Sequence, residues 1–102
     1  MSRYVLTAEA QEDLRGVRAY LIQVATFRVA RYVLAKFAAT FRGLASSPGK
    51  GHLREDLTTD ADLRFWRLFS HLIVYRLGTK PLAVIAVLHG RRDVAGVLKQ
   101  RG

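Results

Sequence analysis

The chain has no cysteine among its 102 residues, which excludes a disulfide framework, a thiolate nucleophile and thiolate-bound zinc. Carboxylates are scarce, with 8 Asp and Glu against 17 Lys and Arg. Three histidines without clustered carboxylates make a poor metal site, so neither a metal nor a cofactor is expected. Long apolar runs are missing too. The strongest, Leu72 to Tyr75 and Leu82 to Leu88, fall far short of the roughly 20 residues that a bilayer-spanning helix needs. No charged start leads into an apolar stretch and a small-residue cleavage site, because Arg3 is followed by Tyr4, Val5 and Leu6 and then a polar helix opening. The expectation is a cytoplasmic protein with no membrane partner.

What is present suits one compact domain over residues 1–102. Half the residues are hydrophobic and a quarter charged, the balance of a chain that folds on its own. No internal repeat, low-complexity tract or linker divides it. The net charge of +9 favours an anionic partner: nucleic acid, an anionic lipid surface or an acidic protein. Most of the positive charge is arginine, whose planar fork grips carboxylate or phosphate through two parallel hydrogen bonds.

Periodicity assigns the elements. Arg3 to Leu6 reads as a short strand. Thr7 then stands as an N-cap, and Glu9 lies in the first turn of a helix beginning near Ala8. In that helix Leu14, Val17, Leu21 and Val24 recur at intervals of three and four. Thr26 can cap a second helix with the stripe Val29, Val33, Phe37, Phe41 and Leu44. Ser46 to Gly51 is rich in helix breakers, and a polar loop runs from His52 to Asp62, its Asp60 and Asp62 read as solvated. Leu63 to Phe69 alternates as a strand and Leu72 to Leu77 is a second. Gly78 to Pro81 is a hairpin turn, and Leu82 to Leu88 is the third strand. Asp93 caps a short last helix carrying Val94, Val97 and Leu98.

The predicted fold is therefore α+β: an N-terminal strand, an antiparallel helical hairpin on a mainly antiparallel sheet with a three-strand meander, and a short C-terminal helix. Leu82 to Leu88 is apolar on both faces, which marks a central strand. Simple alternation places Val84, Ala86 and Leu88 on one face and Ala83, Ile85 and Val87 on the other. This strand empties into His89 and the pair Arg91-Arg92, the best candidate for a functional surface. His89 reads first as a strand-end histidine bonded to backbone and second as a general base. Arg91 and Arg92 could pair with Asp93 or meet an acidic partner or phosphate. Arg64 and Arg67 flank Trp66 on opposite strand faces. Trp66 and Tyr75 read as core, and His52 and His71 as loop or turn residues.

Nearly the whole chain resembles the ParE/RelE superfamily of bacterial type II toxins, and its ParE branch in particular. The resemblance rests on Tyr4-Val-Leu-Thr7 with Ala10, Asp13 and Leu14, the Pro48 to Gly51 break with Arg54 and Leu57, Leu63-Arg64, Leu72-Ile-Val-Tyr75, and Val87-Leu-His-Gly-Arg-Arg-Asp93. The start of the second helix departs from the pattern, since Thr26-Phe-Arg-Val lacks the Ser-Pro opening of many relatives. The resemblance implies a non-enzymatic toxin that inhibits DNA gyrase, blocks replication and is neutralised by a cognate antitoxin. A RelE-like endonuclease that cuts messenger RNA on the ribosome is the alternative, and a non-toxic basic binding module is a third. Against the endonuclease, the last tyrosine is Tyr75, within a strand, and no C-terminal tyrosine joins a basic cluster.

The residues expected to meet the target are His89, Arg91, Arg92 and Arg64, the last by its match to the family position. Those expected to meet the antitoxin are Tyr20, Tyr32, Arg31 and Arg67. The antitoxin would add a helix beside the helical hairpin, with acidic residues to complement the positive charge. Val17, Val29 and Phe37 are further apolar candidates, of which Val17 and Phe37 read better as core.

Overall fold

The computed structural model describes residues 3–101. The elements in order are β1 (Tyr4–Leu6), α1 (Ala8–Val24), α2 (Phe27–Ser46), a 3-10 turn (Pro48–Lys50), β2 (Leu63–Leu68), β3 (His71–Arg76), β4 (Leu82–His89) and α3 (Val94–Arg101). This is the predicted α+β order. The strands form one sheet in the order β1-β4-β3-β2, with β1 parallel to β4 and the other two pairings antiparallel. β4 is central, as its two-sided apolar pattern implied.

Both long helices start where their caps stand. The Thr7 hydroxyl accepts the amide of Ala10 at 3.1 Å and the Thr26 hydroxyl accepts that of Val29 at 3.2 Å, each satisfying one of the orphan donors of a helix N-terminus. The hairpin of α1 and α2 covers one sheet face, where Ala10, Phe37, Phe41 and Leu44 pack on Ile73, Tyr75, Leu82, Val84 and Val87. The other face is closed by α3 and the loop before β2, with Val94, Leu98 and Leu57 over Phe65, Leu72, Val74, Ala86 and Leu88. Tyr75 is fully buried, yet its hydroxyl is satisfied: it donates to the Pro48 carbonyl and accepts the Gly51 amide at 3.0 Å. Gly51 lies so close to that hydroxyl that a Cβ there would collide with it.

The regular alternation expected along β4 does not hold. Val74 pairs with Ala86 and Tyr75 with Val84, so Ile85 is an extra residue, a β-bulge. One extra residue reverses the facing of everything beyond it. Leu82 and Val84 face the helical hairpin, and past the bulge so does Val87, while Ala86 and Leu88 turn to α3. Sequence alternation had grouped Val84 with Ala86 and Leu88. Two further readings change. His71 opens β3 as the register partner of His89, and Asp60 is no free loop carboxylate, because it accepts the Asp62 amide at 2.9 Å and pairs with Arg76 at 3.0 Å.

The bulge lies where β1 stops, since β1 pairs only with Leu82, Ala83 and Val84. Beyond that point the edge of β4 is served by side chains. The Asp13 carboxylate accepts the Val87 amide at 3.0 Å, and Arg101 donates to the Ile85 carbonyl at 3.3 Å. Arg101 also grips Asp13 with both forks, at 2.6 and 2.9 Å. The side chains are only 16% and 7% exposed respectively, so each ion depends on the other. Asp13→Ala is expected to cost about 3 kcal/mol, at the lower end for a broken buried pair because one guanidinium edge still reaches water. Arg101→Ala should cost a similar amount, and the double mutant clearly less than the sum. Urea unfolding of the four proteins checks this; additive losses would show that the pair is not a unit.

Candidate functional site

At the end of β4 the chain turns through Gly90, Arg91 and Arg92 into α3. The His89 Nδ1 accepts the Arg91 amide at 3.1 Å and the His89 carbonyl accepts the Arg92 amide at 3.0 Å. Asp93 then caps α3 through the Gly96 amide at 3.1 Å. Beside this turn lies the β2–β3 hairpin, whose two-residue loop is Phe69-Ser70. The Ser70 carbonyl accepts the Gly90 amide at 2.9 Å and joins the two turns. Phe69 has φ of +54°, a left-handed conformation costing a non-glycine residue about 1 kcal/mol. Its ring lies edge-on to Phe37 at 6.3 Å, a contact that helps to offset the strain.

Because of the bulge, His89 shares the hairpin face with Val87. It meets His71 edge-to-face at 5.3 Å, and His71 in turn meets Phe37 at 5.8 Å. These residues floor an open groove of about 770 Å³, walled by Val17 and Tyr20 of α1 and Val33 of α2, with Arg92 on its rim. Beyond the groove the α1–α2 hairpin overhangs the sheet. Tyr20, Ile22, Val24, Phe27, Val29 and Tyr32 are exposed there, Phe27 by 77%. The chain from residue 14 to residue 54 contains no Asp or Glu. The overhang is thus apolar and wholly cationic, a combination that suits a partner with an acidic, amphipathic segment.

The structure brings together His89, Arg92 and Tyr20 around one groove, with Arg91 exposed alongside. Arg64 is elsewhere. It pairs in register with Tyr75, four residues along β2 from the turn, or about 13 Å at the usual strand rise. Its guanidinium is turned onto the carbonyls of Ala61 and Leu63, which gives it a local structural task. Arg31 lies over the Phe27 ring at 5.7 Å, with Tyr32 on the same outer face of α2. Arg67 lies apart from Tyr20, Tyr32 and Arg31, in a small pocket with Arg54 and Arg92. Val17 is half-buried and lines the groove, Phe37 is buried core, and Val29 is exposed. Sequence reasoning missed His71, Phe69 and Arg54. Only Arg54 carried a signal, its position in the family pattern.

Burial pushes the His71 imidazole below its ordinary value of 6.5, and the neighbouring His89 pushes it the same way. A base with a depressed folded-state pKa binds its proton more readily when unfolded, so His71 opposes folding once pH falls below about 6.5. Stability should therefore drop between pH 6.5 and the lower folded-state value, and His71→Gln should flatten that part of the curve. Chemical unfolding at a series of pH values measures it; an unchanged slope in the variant would remove His71 as the cause.

The comparisons with known proteins agree with this architecture. Residues 4–94 match the family model described as the ParE toxin of the type II toxin-antitoxin system parDE. The chain is 33% identical over 103 residues to Toxin ParE of Escherichia coli, covering 99% of this chain and 97% of that protein. The fold is similar to a chain from the chromosomal ParDE TA system of P. aeruginosa, with a TM-score of 0.70 at 14% identity over 87% of this chain and 96% of that one. A family match that spans both sheet faces and ends at the turn carrying His89, Arg91 and Arg92 leaves one conclusion: the chain belongs to the ParE toxin family of type II toxin-antitoxin systems.

Proposed function

We propose that this toxin acts in the cytoplasm by binding DNA gyrase and blocking replication, without catalysing a reaction, and that a cognate antitoxin neutralises it. The gyrase target follows from the ParE branch of the resemblance. The observation that carries the non-catalytic reading is the hydrogen bond from the Arg91 amide to His89 Nδ1. A neutral imidazole that accepts on Nδ1 holds its proton on Nε2. Its remaining nitrogen is then a donor, which can recognise an acceptor but cannot serve as a general base. With Arg91 and Arg92 beside it, the end of β4 presents donors and positive charge, the dress of a recognition surface.

The antitoxin reading draws on the groove and the overhanging hairpin. Apolar anchors of the partner would fill the space between Tyr20, Val33 and Val87, and its acidic residues would meet the arginines of the hairpin. A structural neighbour of similar fold comes from a ParDE toxin-antitoxin system, which fits such a partner here.

Induction of the chain in a bacterial host without antitoxin should stop DNA synthesis before protein synthesis, read by separate pulse labels. With purified gyrase, Arg91→Ala and Arg92→Ala should each raise the half-inhibitory concentration for supercoiling about tenfold. That corresponds to roughly 1.5 kcal/mol for a charge-assisted hydrogen bond, and both exposed sites should leave folding stability within about 0.5 kcal/mol. Prompt loss of protein synthesis with cleaved transcripts would replace this reading with ribosome-dependent endonuclease action.

A further inference from the structure

On the α3 side of the two joined turns is a second recess, a compact pocket of about 120 Å³. Three arginines line it from three separate segments: Arg54 from the loop after α2, Arg67 from β2 and Arg92 from the turn before α3. Ser70 and His71 complete the lining at the β2–β3 turn, the His71 ring itself facing the groove on the other side of the sheet, and no Asp or Glu is among the lining residues. Among the described residues neither Arg67 nor Arg92 meets a carboxylate, since the four ion pairs involve Arg15, Arg54, Arg76 and Arg101. Asp93, next to Arg92, is committed to the Gly96 amide. The Arg54 charge is offset by Asp56, so the uncompensated positive charge at the recess is that of Arg67 and Arg92, and an anion entering there would be favoured.

Arg54 is held in place. Its Nε and Nη2 both donate to Asp56 at 2.9 Å, and this pairing keeps the guanidinium firmly charged. Nη1 has no hydrogen-bond partner among the described residues. The kind of anion follows from the number and origin of the forks. A planar carboxylate can be satisfied by one bidentate arginine, as Asp56 is by Arg54. A tetrahedral oxyanion offers oxygens in several directions and takes donors converging from separate elements.

We propose that Arg54, Arg67 and Arg92 form an oxyanion site that takes a phosphate group. The shared chemistry is a phosphoryl group, supplied by a nucleic-acid backbone or by a small phosphorylated ligand. Arg92 also stands on the rim of the apolar groove, so an occupant here would lie against the surface assigned to target recognition. The proposal does not depend on gyrase as the target, because the test needs only the purified chain.

The test is a titration of the whole isotope-labelled protein, following the arginine Nε–H signals by NMR. It is run with inorganic phosphate, with short duplex DNA and with acetate as the carboxylate control. Phosphate should shift Arg54, Arg67 and Arg92 together and acetate should do so at least tenfold more weakly. Arg67→Ala and Arg92→Ala should each weaken phosphate binding about tenfold, and the double variant should abolish it with its thermal transition unchanged. Arg42→Ala, on the exposed face of α2, should bind as the parent does. Duplex DNA that shifts the same three signals, with a salt dependence reduced in the double variant, supports the site and assigns its ligand to a nucleic-acid backbone. Phosphate without DNA supports it with a small phosphorylated ligand. Acetate as strong as phosphate, or phosphate shifts that persist in the double variant, would overturn it.

Discussion

The carboxylate of Asp13 is the tie on which the arrangement of this fold depends. One side chain on α1 holds the Val87 amide of β4 and both forks of Arg101 at the end of α3. It thereby fastens the helical hairpin, the central strand and the C-terminal helix at one point. The tie exists because β1 is only three residues long and leaves the second half of β4 with an unpaired edge. A buried amide without a partner costs more than a hydrogen bond contributes, so the edge must be served by something. Asp13 serves it, and Arg101 neutralises the charge that doing so buries.

The candidate site is built on that same half-strand. The bulge at Ile85 turns Val87 and His89 toward the hairpin instead of toward α3. Without it His89 would leave the groove and its contact with His71 would be lost. The joined turns at Ser70 and Gly90 then fix the height of the rim, so Arg92 stands between the apolar groove on one side and the arginine-lined pocket on the other. The two proposed recognition surfaces are divided spatially, the apolar groove on the hairpin side and the arginine-lined pocket on the α3 side, with one arginine common to both.

The distribution of charge explains why so basic a chain stays folded. Four of the eight carboxylates are used for structure. Asp13 clamps α3, Asp56 holds Arg54, Asp60 pairs with Arg76, and Asp93 caps α3. The remaining positive charge stands on the hairpin and around the β4 turn, exposed enough for water to screen it. An acidic partner would find there an attraction that no internal pairing has cancelled.

The element order, the capping threonines, the two-sided apolar strand and the candidate turn at His89 were all legible in the sequence, because each depends on periods of 3.6 and 2 or on residues adjacent in the chain. The membership of Tyr20, His89 and Arg92 in one groove was not. Nor was the removal of Arg64 from that region, or the convergence of Arg54, Arg67 and Arg92. A bulge leaves no local signal when the extra residue is an isoleucine among apolar neighbours, and Phe69 in a left-handed turn defeats the expectation of glycine or asparagine there. The sequence by itself determined which segments become helices and strands and that their common surface would be cationic. The tertiary structure alone decided which side chains share a face, because strand register, the bulge and the Asp13–Arg101 tie are contacts between residues up to 88 positions apart.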